Sequence, residues 1–183
     1  MSNFLEKYKS VYDVFIDNWS YQSHFVAYLE SLMRKETLLP LHIKEMIFAY
    51  VSGLNNCQYC KNIHAEISKK LLRDHVDLDP SSDIELSNIE EQFKPVLKFS
   101  HKVNESIDRI TEEDVKAVLD FGFPENVITE IISICSAAQF MNTIVKAHSI
   151  QPLNDNMNIA SAKVMIEKGY SGLAEYMINR RKK

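Results

Sequence analysis

Apolar residues recur along this chain at intervals of three and four and almost never alternate, the period of helices buried on one face. The pattern predicts an all-α protein. Over residues 4–16, Leu5, Tyr8, Val11, Tyr12 and Phe15 fall on one stripe, and over 21–33, Phe25, Tyr28, Leu29 and Leu32 make a second. Pro40 opens a very apolar helix over 41–52, and Gly53 with Asn55 and Asn56 stops it, since proline suits a first turn and glycine a helix end. The next helix begins at Cys57 and buries Ile63, Ile67, Leu71 and Leu72. Residues 74–83 are acidic and polar and read as a solvated connector. Ser87 with Glu90, and Thr111 with Asp114, have the spacing of N-terminal caps, while Gly122 closes one helix and Pro124 opens another. A long apolar helix is expected over 124–148, and Gly169 separates two last helices.

Two stretches resemble each other. Glu45 opens an apolar segment that closes at His64, and Glu130 opens one that closes at His148. The second copy has neither Cys57 nor Cys60. A degenerate duplication of a helical hairpin accounts for this, and so does chance similarity of two buried helices.

At 183 residues the chain is expected to form a single helical domain spanning 1–183, with 1–17 as an extra N-terminal helix. Its 45% hydrophobic and 25% charged residues, with four glycines and five prolines, fit a helix-rich globular fold. A net charge of -4 supplies no basic field, so nucleic acid and anionic membrane surfaces are poor partners. The basic end, Arg180 to Lys183, reads as a solvated helix terminus. No uninterrupted apolar run approaches the roughly 18 residues of a membrane span, and the N-terminus mixes acids and bases, so the expected location is cytoplasmic. In a reducing compartment close cysteines point to redox or metal chemistry more often than to a structural disulfide.

Candidate chemistry concentrates in Cys57-Gln58-Tyr59-Cys60 and His64, four residues further on. Cys57 falls at a helix start, where free backbone N–H groups and the positive dipole end favour a thiolate. Cys60 and His64 lie one turn apart on one face, with roughly 5–6 Å between their Cβ atoms. The two cysteines have a spacing from which a reversible disulfide can form once the first turn loosens. Glu45 stands among apolar residues and is expected to be at least half buried, which suits a proton-holding group. If the two helices fold back about residues 53–56, Glu45 lies about 12 Å from the turn and His64 about 10 Å, so the two are level. The order Glu45, His64, Cys60, Cys57 then makes a proton path that ends at a dithiol.

Other readings compete. A structural zinc would take Cys57, Cys60 and His64 and need a fourth ligand from His24, His42 or Glu45, giving a non-enzymatic zinc-stabilised or helical interaction protein. Lys61 after the second cysteine excludes c-type haem attachment. Inert buried thiols are the third reading, and Cys135 in its apolar helix is read that way. His24, His42, His75 and His101 have no spacing logic, and the aromatics Tyr8, Tyr12, Phe15, Trp19, Tyr21 and Phe25 read as core or subunit contact.

The stretch from Leu39 to Leu72, with a glutamate, eleven residues and then C-x-x-C-x-x-x-H, resembles the signature of the alkylhydroperoxidase D and carboxymuconolactone decarboxylase superfamily in its hydroperoxidase-like branch. The resemblance implies an alkylhydroperoxidase D-like helical bundle that assembles as a homotrimer or homohexamer. It also implies an antioxidant thiol peroxidase or disulfide oxidoreductase without a bound cofactor. Cys60 would attack a hydroperoxide and become a sulfenic acid, Cys57 would resolve it as a disulfide, and Glu45 with His64 would relay the proton. An external dithiol, lipoyl or thioredoxin-like, would reduce the disulfide. Local physics is divided on the roles, because the helix terminus favours Cys57 as thiolate and the histidine favours Cys60. The chain has Tyr59 where hydroperoxidases of the family can carry a histidine, and a phenol with pKa near 10 does not share a proton at neutral pH. The cysteine pair speaks against the decarboxylase branch.

Overall fold

The computed structural model describes residues 4–35, 37–72 and 84–181, and every regular element among them is helical. The helices are α1 (Val11–Asp17), α2 (Trp19–Arg34), α3 (Leu41–Leu54), α4 (Gln58–Leu72), α5 (Lys94–Glu105), α6 (Glu112–Leu119), α7 (Asn126–Ala147) and α8 (Asp155–Arg181). The predicted connector over 74–83, and His75 within it, lie outside the described residues.

α3 is the axis of the fold. A helix apolar on every side must be enclosed on every side, and residues Ile43 to Gly53 are all buried, with α4, α7, α5 and α2 packed around them. Asn56, at φ 53°, turns the chain back, and Asn56 N–H and Cys57 N–H donate to Gly53 O and Ser52 O at 2.9 and 2.8 Å. The hairpin of α3 and α4 expected from residues 53–56 is therefore present. Lys44, fully buried in α3, donates to Leu32 O and Lys35 O and pairs with Glu130 of α7 at 2.7 Å, which ties the α2–α3 connection to α7.

Other expectations need correction. The first helix does not run unbroken from residue 4: a 3-10 turn spans Phe4–Glu6, and α1 starts only after Ser10, whose hydroxyl accepts the Tyr12 N–H at 3.2 Å. Ser87 caps no helix, because its hydroxyl donates to Ile84 O within a preceding turn; Pro95, in the first turn of α5, sets that helix to begin at Lys94. Thr111 and Asp114 do form the capping box of α6. Trp19 and Tyr21 are exposed, whereas Tyr8, Tyr12 and Phe15 are core.

The second half of the suspected duplication is not a hairpin. Glu130 and His148 belong to one continuous helix and its C-cap, about 27 Å apart. No turn signal like Gly53-Leu54-Asn55-Asn56 interrupts that stretch. Glu130 pairs with Lys44, while His148 packs against Phe4 and Tyr8. By length and apolar content α7 could cross a membrane, although polar residues such as Glu130 and Gln139 interrupt its apolar run; here its buried face packs on α3 and α5.

Gly169 breaks α8 as expected, at φ 72°. The Glu30 carboxylate accepts the Ser171 N–H at 3.0 Å, and a Cβ on Gly169 would stand 2.3 Å from Glu30 Oε1. Only glycine supplies both the positive φ and the space. The break aims the second half of α8, and Tyr170 with it, at α3 and α4.

Candidate active site

Cys57 is the N-cap of α4. Its carbonyl accepts the Lys61 N–H at 3.0 Å, and its side chain sits among the unpaired N–H groups of the first turn. Both motif thiols are free and buried. The hydrogen bond donated by the Cys60 thiol lowers Cys57 to about 7, helped against burial by the Cys60 backbone N–H, the charge of Lys146 and Asn142. The same hydrogen bond, with burial and the charge of Cys57, raises Cys60 well above the ordinary thiol value. Of the two, Cys57 is thus the thiol that ionises first.

Asn142, on α7, is the polar partner of this pair. Its Oδ1 accepts from Asn55 at 3.0 Å and its Nδ2 donates to Ser52 at 3.0 Å, which fixes the amide orientation and leaves its second N–H for the sulfurs. Asn142→Ala is expected to raise the midpoint of Cys57 alkylation above its wild-type value of about 7. Iodoacetamide rates followed from pH 5 to 10 measure it, because only the thiolate reacts.

Glu45 and His64 meet as the hairpin geometry requires. His64 Nδ1 lies 2.6 Å from Glu45 Oε2, both side chains being buried, and the Tyr170 hydroxyl donates to Glu45 Oε1 at 3.1 Å. With Tyr170 donating to one oxygen and the carboxylate accepting on the other, Nδ1 carries a proton and Nε2 is the exchangeable nitrogen. Phe48 stacks on the imidazole at 3.8 Å and holds the ring plane. Burial, then the charge of Glu45, push the Tyr170 phenol well above its usual range, so it remains a donor.

Cys60, Tyr59, His64 and Tyr170 line one wall of a cavity of about 630 Å³. Cys57 does not line it. The opposite walls come from α1 and both halves of α8. The N-terminal segment, expected as an extra helix, thus helps to form the site. Tyr59 is buried and fixed by a 3.2 Å contact between its hydroxyl and Ser10 Oγ, and burial pushes it up to about 12. It anchors α1 and holds its proton.

The zinc reading finds no gathered donor set. Among the described residues no three His, Cys, Asp or Glu side chains could share a metal. Glu45 is engaged by His64 and Tyr170, His24 is exposed, and His42 lies by Phe93 at a separate small cavity. Cys135 is a core thiol as expected, pushed up to about 12 by burial.

The arrangement brings together what dithiol chemistry needs: one sulfur at a cavity, a second and more acidic sulfur in hydrogen-bond contact, and a buried acid–imidazole pair one helical turn away.

No family model and no curated protein matches the chain. Solved structures do. A peroxidase-related protein from Ralstonia eutropha JMP134, described as an alkylhydroperoxidase AhpD core, superposes with a TM-score of 0.73 at 22% identity over 82% of this chain and 79% of its own. A peroxidase-related protein from Silicibacter sp. TM1040 gives 0.70 at 22% identity, over 79% and 76%. The apo debrominase Bmp8 gives 0.63 at 18% identity, over 83% and 82%. The architecture of the described residues, all helical and centred on the α3–α4 hairpin, is therefore the alkylhydroperoxidase AhpD-like fold.

Proposed function

We propose that the protein is a thiol-dependent peroxidase of the dithiol-disulfide type. The observation that carries this reading is the shared cavity wall of Cys60 and His64, with Glu45 bonded to the far side of the imidazole. A hydroperoxide ROOH enters the cavity, and the Cys60 thiol gives up its proton to the Cys57 thiolate or to His64 Nε2. The Cys60 sulfur then attacks the terminal oxygen. The O–O bond breaks, leaving Cys60–SOH and RO⁻, which takes that proton back from Cys57 or His64, so that Cys57 is again a thiolate, and departs as ROH. The Cys57 thiolate attacks Cys60–SOH, forming the disulfide and releasing hydroxide, which is protonated to water. An external dithiol of lipoyl or thioredoxin type closes the cycle by taking the oxidation away.

The peroxidase-related neighbours support this reading, and a homotrimeric or homohexameric assembly and a cytoplasmic location are proposed with it. The test is steady-state turnover of hydroperoxide with lipoamide and thioredoxin systems as reductants. Sustained reductant consumption that requires both Cys57 and Cys60 is the expected result. Because a debrominase shares the fold, an organobromide is the comparison substrate, and turnover of it in place of every hydroperoxide would reassign the chemistry.

A further inference from the structure

The cavity is far larger than the oxidant chemistry alone requires. A water molecule occupies about 30 Å³ of liquid volume, and hydrogen peroxide is not much bigger, whereas the space beside Cys60 is about 630 Å³. That volume falls in the range of pockets built for drug-sized organic ligands, roughly 300–1,000 Å³. Its walls are mainly apolar, including Ile63, Val164 and Leu173, with Met141, Met157, Met165 and Met177. Four of the chain's seven methionines meet here. Unbranched thioether side chains adapt to irregular apolar shapes, which suits a flexible or bent hydrocarbon better than one rigid ring.

The lining also carries charged groups. The second half of α8 runs outward from Tyr170, beside Glu45 and His64, to Arg180 and Arg181, a span of about 15 Å over ten residues. Lys9, just before α1, also faces the cavity. Arg181 is spent, since it clamps α8 to α1 through Asp13 at 2.9 Å and Asp17 at 2.7 Å. Asp13 is the one acid in the lining, and its charge is used in that clamp. Lys9 and Arg180 are exposed and have no ion pair among the described residues, so the lining carries two positive charges that no acid offsets, with Arg180 ten residues along α8 from Tyr170.

We infer that this cavity binds amphipathic organic hydroperoxides that carry a carboxylate, with the head at Lys9 and Arg180, the chain along the methionine-lined wall and the peroxide at Cys60. The class is that of fatty acid hydroperoxides. This rests on the peroxidase reading for its chemistry, which follows the steps given above with R the hydrocarbon chain that bears the carboxylate and ROH the corresponding hydroxy acid, and on the cavity alone for its binding.

The experiment separates the two. Cys60→Ser protein is titrated calorimetrically with an unreactive long-chain fatty acid and with its methyl ester, which measures binding without chemistry. The acid is expected to bind about fivefold more tightly or better, as two exposed cation contacts allow, and the preference is expected to collapse in protein that also carries Lys9→Gln and Arg180→Gln. Equal binding of acid and ester, or no binding of either, overturns the proposal. Wild-type oxidation is then compared for a fatty acid hydroperoxide, its methyl ester and hydrogen peroxide, with kcat/KM expected in that order. Carboxylate-dependent binding with no oxidation by any peroxide would retain the ligand class and remove the peroxidase reading. Oxidation by all three at one rate would do the reverse.

Discussion

Replacing Cys60 with serine is expected to remove hydroperoxide turnover, a loss of about a thousandfold or more, because a hydroxyl cannot substitute for the attacking sulfur. Cys57→Ser should also stop turnover, yet it should leave the first oxidation in place and let a sulfenic acid accumulate on Cys60. The asymmetry follows from position: Cys60 lines the cavity, whereas Cys57, lowered to about 7, does not. In this account Cys57 first serves as acceptor for the Cys60 proton and then as resolving nucleophile. The first step in Cys57→Ser should therefore be slower than in the wild type and more steeply dependent on pH, since Cys60 must lose its proton to His64 or to solvent. A dimedone-type probe distinguishes the roles. Labelling of Cys60 in Cys57→Ser is predicted; labelling of Cys57 in Cys60→Ser, at the wild-type rate, would assign the attack to Cys57.

The second large effect belongs to Glu45. Glu45→Gln keeps the volume and can still accept from Tyr170, but its amide N–H₂ would then face His64 Nδ1. The imidazole must turn Nδ1 into an acceptor, which moves its proton to Nε2 and removes the base on the side of the thiols. A fall of about a hundredfold in the rate of thiol oxidation is expected, the lower end of what a positioned acid–base group contributes. Stability should fall by about 1–3 kcal/mol, the cost of a disturbed buried hydrogen bond. Stopped-flow oxidation and urea unfolding of the same variant measure the two. A loss of stability with an unchanged oxidation rate would make Glu45 a structural residue only.

The pKa directions fix how pH acts on the fold through the dithiol. Cys57 is more acidic folded than unfolded, so its contribution to stability is fully present above about 9 and is lost as pH falls through about 7. Cys60 is less acidic folded than unfolded, so its contribution is present below about 9 and is lost as pH rises beyond that value. The two act in opposite directions, and reduced protein should gain from the first between pH 7 and 9.

The hairpin about residues 53–56 was legible because its signals are local: a stop made of glycine and asparagines, a helix apolar on all sides, and a cysteine at the next helix start. From those alone Glu45 and His64 could be set level, and they meet at 2.6 Å. Tyr170 was not legible, since it comes from 125 residues away and depends on how Glu30 receives the break at Gly169. The break itself could be seen, and a glycine that frees the residue after it was the available signal. Asn142 had a weaker one, as a polar residue in the apolar run of α7. The cavity left no trace in the sequence, because α1 and α8 are brought together by tertiary contacts such as Arg181 with Asp13 and Asp17. The likeness between the segments ending at His64 and His148 carries no second hairpin, since the single long helix expected over 124–148 is what forms there and no turn signal interrupts it.

The most direct test of the central claim is peptide-mapped mass spectrometry of reduced protein after one equivalent of organic hydroperoxide. The account predicts a loss of two hydrogens per chain, located in a Cys57–Cys60 disulfide, with the Cys135 thiol intact. Three free thiols after treatment, or oxygen added at Cys135 while Cys57 and Cys60 stay reduced, would contradict it.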